Sequence, residues 1–144
     1  MRIFKRFLHA FTPIRKGILE PPIFASVQTD GSFRKNISRT AILLNTSEGE
    51  HYRMVNTYFN HANSNESEWC SVLDGLDYSL QKNQKSLLLE NDNLGVIQSL
   101  IRQKPQNSCW EYYDSIYEIL ESFDWVSVRW IPRELNRADK LFRL

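Results

Sequence analysis

The spacing of apolar residues along this chain changes period several times, and the changes mark out its elements. Residues 23–29 form a short run rich in Ile, Phe, Val and Thr that opens after Pro21-Pro22 and meets Asp30-Gly31, a strong turn signal. The run predicts a buried strand that ends at the aspartate. Residues 37–45 and 51–59 predict two more strands, and short Gly-containing links on either side of residues 37–45 make the three an antiparallel meander. After a polar loop over 60–67, Trp69, Val72, Leu73, Leu76 and Leu80 fall at helical spacing. Residues 86–90 then carry Leu87-Leu88-Leu89, the continuous apolar signature of a strand covered on both faces, as parallel strands are. Val96, Ile97, Leu100 and Ile101 predict a second helix ending near Pro105. Tyr113, Ile116, Tyr117 and Leu120 predict a third over 110–123. A last strand over 125–131 alternates Val126, Val128 and Trp130 with Ser127 and Arg129 until Pro132 stops it, and 136–144 leaves room only for a short terminal helix. The order β-β-β-α-β-α-α-β-α predicts an α/β domain with a five-stranded mixed sheet and helices packed on it. Trp69, Trp110 and Trp130 lie on apolar stripes and are expected in the core.

Ahead of the meander, Ile3, Phe4, Phe7, Leu8 and Phe11 follow helical spacing with Arg2, Lys5, Arg6 and His9 between them, which predicts a short amphipathic helix ending before Pro13. We divide the chain accordingly into a basic N-terminal helix or arm over 1–20 and one domain over 21–144. The net charge of +1 conceals that division: the first twenty residues carry +4 and the remainder −3. A basic arm on a mildly acidic body suits a protein that meets polyanions while reserving its carboxylates for metal. At 42% hydrophobic residues, the chain supports a real core, and no apolar run approaches the roughly 20 residues that span a bilayer. Cys70 and Cys109 sit within apolar helical patterns, which argues against a disulfide framework or a zinc site and for a reducing compartment. A cytoplasmic monomer is the expectation.

Four acidic residues fall at element ends: Asp30 after the first strand, Glu68 at the start of the first helix, Asp92 after the triple-leucine strand and Asp139 near the C-terminus. Each has an ordinary structural role open to it. Asp30 can form a turn with Gly31. Glu68 can close a capping box with Asn65, Asp92 can cap the following helix, and Asp139 can pair with local cations. Taken together they suggest more, because the C-terminal ends of neighbouring strands in α/β sheets are where ligands bind. Acids converging there repel one another unless cations neutralise them. A donor set of carboxylate oxygens, without His or Cys, selects Mg²⁺ or Mn²⁺ over zinc.

The sequence resembles the type 1 ribonucleases H from about residue 23 to 144. The resemblance rests on Thr29-Asp30-Gly31-Ser32, Asn65-Glu66-Ser67-Glu68-Trp69, Leu89-Glu90-Asn91-Asp92-Asn93 and Trp130-Ile131-Pro132-Arg133-Glu134-Leu135-Asn136-Arg137-Ala138-Asp139, in register with the element order. It implies an RNase H-like fold in which Asp30, Glu68, Asp92 and Asp139 hold two Mg²⁺ ions, with Mn²⁺ an acceptable substitute. It also implies an endoribonuclease that cuts the RNA strand of an RNA/DNA hybrid and leaves 5′-phosphate and 3′-hydroxyl ends. Gly31, Ser32, Asn36 and Asn65 match family positions that contact the hybrid. Two departures stand out. Many members carry a His in the loop before the last acid, where this chain has Pro132-Arg133-Glu134, so Arg133 becomes the candidate for phosphate contact or product release. Asn136 also stands one residue closer to the last acid than in the commoner pattern, which implies a tighter loop. The competing functions are a module that keeps the fold without catalysis and another nuclease of the same superfold.

Overall fold

The computed structural model describes residues 11–19, 21, 24–104 and 109–143. Its sheet has six strands: β1 Thr12–Arg15, β2 Ala25–Arg34, β3 Ile37–Asn45, β4 His51–Tyr58, β5 Ser86–Asn91 and β6 Trp125–Trp130. They lie in the order β1-β6-β5-β2-β3-β4. The meander β2-β3-β4 is antiparallel, while β5 runs parallel to both β2 and β6. Three helices follow the expected order: α1 Ser64–Gln81, α2 Leu94–Arg102 and α3 Trp110–Leu120. The chain closes in two 3-10 turns, Arg133–Leu135 and Arg137–Arg143, in place of a terminal α-helix.

The sixth strand corrects the five-stranded expectation. β1 is antiparallel to β6, with Thr12 opposite Val128. Four residues containing a proline show no readable alternation, and an edge strand tolerates the missing N–H of Pro13. Long-range contacts hold it. The Arg15 Nε donates to the Phe123 carbonyl at 3.0 Å, and the Phe11 ring lies under the Arg129 guanidinium. The amphipathic helix read over the first residues lies outside the described region, except for Phe11, which is exposed.

The second correction concerns Asp30. β2 does not stop there but runs on to Arg34, with Asp30 opposite Ala41 and Gly31 opposite Thr40. The reversal comes at Lys35-Asn36, both with positive φ (53° and 63°), as a two-residue hairpin turn requires. Gly31 serves close approach instead of a turn. A Cβ there would lie 2.5 Å from the Ser67 backbone and 2.6 Å from the Glu68 nitrogen, so only glycine lets α1 descend onto β2.

The helices cover one face of the sheet. Val27, Ile42, Leu44, Leu87, Leu89 and Val126 from the strands meet Trp69, Val72, Leu76, Ile97 and Ile116 from the helices, all fully buried or nearly so. Trp130 is partly buried against this core, but Trp110 is 53% exposed, contrary to the reading of its stripe. It opens α3, and the buried residues of that helix, Ile116 and Leu120, lie further along. Among the described residues, the opposite face of the sheet carries the terminal 3-10 segment, which touches β2, β3 and β4. Among the described residues no helix is long and apolar enough to cross a membrane.

Candidate active site

The parallel pair β2-β5 sets the site's geometry. β5 ends at Asn91, opposite Thr29, while β2 runs on through Asp30, the first residue past that pairing. Asp30, 7% exposed, therefore stands just beyond the end of its neighbour, beside the bend that carries Asp92. Neither Asp92 nor Glu68 caps a helix. Asn93 caps α2, accepting from the Val96 N–H at 3.1 Å, and Asn63 caps α1, accepting from the Glu66 N–H at 2.9 Å. Glu66, not Glu68, reaches back to the chain before the helix, accepting from the Ala62 N–H. Both acids are left free to face the cleft.

Glu68 is locked at the foot of α1. The Ser67 hydroxyl shares its proton between the carbonyls of Ser32 (3.1 Å) and Arg39 (3.2 Å), pinning the first turn to β2 and β3. The Glu68 Oε1 accepts from the Gly31 N–H at 3.1 Å. Its Oε2 is buried without a hydrogen-bond partner. Carboxylate oxygens of Asp30, Glu68 and Asp92 lie within 4.8 Å of one another. An orphaned carboxylate oxygen amid two more carboxylates is the donor set that fits a hard divalent cation.

Electrostatics agree. Burial, followed by the charges of Glu68, Asp92 and Asp139, pushes the Asp30 carboxyl up to about 9. Burial and Asp92 raise Glu68 to about 7, against the lowering influence of the Gly31 N–H and Arg133. Burial also raises Asp92, again with Arg133 opposing. Without a cation the cluster holds protons at neutral pH, since buried like charges at this distance do not all ionise.

Asp139 lines the same cleft but stands apart from the trio, its Oδ2 3.6 Å from Arg143. A latch delivers it. The buried Asn136 amide donates to the Thr29 carbonyl at 2.9 Å, its Oδ1 accepts from the Ala138 N–H, and the Arg137 N–H donates to Gln28. Asn91 donates to the same Thr29 carbonyl at 3.0 Å and accepts from the Asn93 N–H. Two amides thus converge on the carbonyl immediately before Asp30. One ties down the loop of Asp139 and the other the loop of Asp92.

Gly31, Ser32 and Arg133 line the cleft, whose volume is about 400 Å³. Arg133 makes no ion pair with Glu134 or Asp139 and faces the carboxylates instead. Asn36 and Asn65 lie outside the lining. Asn36 is exposed at the hairpin tip, and Asn65 donates from the first turn of α1 to Cys109 Sγ at 3.3 Å. Sequence reading missed Arg34, Arg39 and Arg143, which join Arg133 around the cleft, and it missed Phe142, over whose ring Arg39 lies. Arg39 was legible only through its alternation with Thr40 on β3. The terminal cations carried no signal that distinguished them from solvated charge.

A family profile described as reverse transcriptase-like matches residues 28–142. The chain belongs to this family. Its fold is that of a type 1 RNase H. RNase H1 of the halophilic archaeon Halobacterium salinarum matches at a TM-score of 0.74 and 23% identity, over 81% of this chain and 92% of the other. The N-terminal RNase H domain of a Mycobacterium tuberculosis protein matches at 0.70 and 20%, over 83% and 90%. LC11-RNase H1, solved in complex with an RNA/DNA hybrid, matches at 0.70 and 18%, over 81% and 92%. Among curated proteins no relative matches the chain. In this RNase H-like domain the acidic cluster sits where the parallel pairing of β2 with β5 ends, at the edge where α/β sheets bind ligands.

Proposed function

We propose that this domain is an endoribonuclease that hydrolyses the RNA strand of RNA/DNA hybrids and leaves 5′-phosphate and 3′-hydroxyl ends. The observation that carries the reading is the trio Asp30, Glu68 and Asp92 with the unpartnered Glu68 Oε2 at its centre. These three, with Asp139, would hold two Mg²⁺ ions, and Mn²⁺ has the same preference for oxygen. Bound there, such ions supply Lewis-acid stabilisation of phosphate charge and a water of lowered pKa. Arg34, Arg39 and Arg143 surround the carboxylates with positive charge and so draw a phosphodiester strand into an otherwise repulsive cleft. Arg133, exposed at the mouth and near Glu68 and Asp92, contacts the scissile phosphate and balances charge as the 3′ oxygen leaves. Gly31 and Ser32 present backbone to the strand where a side chain would block it. Asn36 and Asn65, beyond the lining, contact the hybrid on either side of the scissile position, where a small amide both donates to and accepts from a 2′-hydroxyl. LC11-RNase H1, of the same fold, has been captured on such a hybrid, which supports this substrate class.

The test compares labelled RNA/DNA, RNA/RNA and DNA/DNA duplexes with Mg²⁺ and with Mn²⁺. Cleavage confined to the RNA strand of the hybrid, lost in Asp92→Asn, is expected. Hybrids bound normally yet left intact with both metals would show that the domain is a binding module.

A further inference from the structure

On the face of the sheet opposite α1, α2 and α3, a groove of about 480 Å³ runs between the β3-β4 hairpin and the terminal 3-10 segment. Leu43, Asn45, His51 and Arg53 form one wall and Arg137, Lys140 and Leu141 the other. The register explains the first wall. Leu43 stands opposite Arg53 and Asn45 opposite His51, and directly opposed residues share a face. The lining contains no acid. Arg53, Arg137 and Lys140 are exposed, and none forms an ion pair among the described residues, whose two salt bridges are Arg129–Glu90 and Arg143–Asp139.

The groove lies beside the cleft, on the other side of the terminal 3-10 segment. Arg39 and Leu43 alternate onto the same face of β3, the first at the carboxylates and the second in the groove. The 3-10 segment is a wall common to both, presenting Phe142 and Arg143 to the cleft and Arg137, Lys140 and Leu141 to the groove. Leu43 and Leu141 provide apolar surface between the cations. That mixture decides the occupant. A duplex keeps its base faces stacked inside and offers the leucines little apolar surface, whereas a single strand offers phosphates to the cations and unstacked base faces to the leucines.

We propose that this groove binds a single-stranded nucleic-acid tail that continues from the duplex in the cleft. The placement on a continuing strand rests on the function proposed above, but the groove's affinity for single strands does not depend on cleavage. The domain thereby favours junctions between hybrid and single strand over blunt hybrids.

The test uses the full chain and the variant Arg53→Ala/Lys140→Ala, whose side chains are exposed. Fluorescence anisotropy with a labelled oligodeoxythymidylate is expected to show binding about tenfold weaker in the variant, with a salt dependence shallower by about 1.4 for the two lost charges. Backbone amide shifts on titrating the wild type should centre on Leu43, His51 and Leu141. Cleavage of a blunt hybrid should match wild type, while the preference for an overhang disappears. Equal binding by variant and wild type, or shifts confined to cleft residues such as Ser32 and Asn93, would overturn the proposal. So would an equal loss on blunt hybrids, which would place Arg53 and Lys140 in the cleft's own binding. Loss of hybrid cleavage by the wild type with intact oligonucleotide binding would count against the proposed function alone.

Discussion

Replacing Gly31 with alanine isolates the contact that builds the site. The added Cβ would lie 2.5 Å from the Ser67 carbonyl carbon and oxygen, against 3.4–4 Å for an ordinary contact, and the obstructing atoms are backbone. The first turn of α1 must therefore lift by about 1 Å, since overpacked backbone relieves strain only by moving. Lifting stretches the shared Ser67 hydroxyl bond and the Gly31–Glu68 bond together. At about 1 kcal/mol each, their loss predicts a destabilisation of about 2 kcal/mol. It also displaces Glu68 from Asp30 and Asp92, and a misplacement of about 1 Å at a reacting centre costs on the order of a hundredfold in rate. Urea unfolding measures the first effect and hybrid cleavage per folded molecule the second. Gly49→Ala is the control. Gly49 has φ of 86° and open space around it, so alanine there strains the backbone by about 1 kcal/mol without reaching the cleft. If Gly31→Ala kept wild-type stability and cleaved hybrids within twofold of wild type, the close-approach account of Gly31 would be wrong.

Two other perturbations probe the carboxylates and their latch. Folding raises the Asp30 carboxyl from 3.8 to about 9, so the native state keeps a proton that the unfolded chain has released. Metal-free stability should therefore fall as pH rises from about 4 towards 9, by at most about 4 kcal/mol at neutral pH. Mg²⁺ should restore that stability, and Asp30→Asn should flatten the metal-free profile while abolishing cleavage. Chelated protein that unfolds at the same urea concentration at about pH 5 and pH 8 would refute this reading of the cluster. Asn136→Ala removes two buried hydrogen bonds and should cost about 2 kcal/mol. Because Asn136 positions Asp139 and also hydrogen-bonds Asp92, cleavage should drop by more than calorimetric Mg²⁺ binding at the trio. Equal losses in both would place Asn136 among the groups that shape the trio.

Much of the site was visible in the chain because its parts are local. The triple leucine of β5 and the stripes of α1 and α2 declare their elements through periodicity alone, and the acids at their ends come with them. Asp30-Gly31 misled because a turn dipeptide is only a local preference. Nine cross-strand pairs with β3 hold those residues extended, and the glycine answers to α1, whose Ser67 lies more than thirty residues away in sequence. Likewise Asn65-Glu66-Ser67-Glu68 reads as a capping box, yet Asn63 and Glu66 do the capping and Glu68 is freed for the cleft.

What the sequence determined by itself was the succession of helices and strands, the meander, and a set of hard oxygen donors at element ends. Those features depend on period, propensity and chemical type, which neighbours in the chain specify. Tertiary structure alone decided that β1 would complete the sheet against β6, that two asparagines would meet on the Thr29 carbonyl, and that four arginines would ring three acids. Such contacts join residues far apart in sequence, so no local pattern encodes them. They arise because every buried polar group must find a partner once the core has closed, and among the described residues the Glu68 Oε2 is the buried side-chain oxygen left without one.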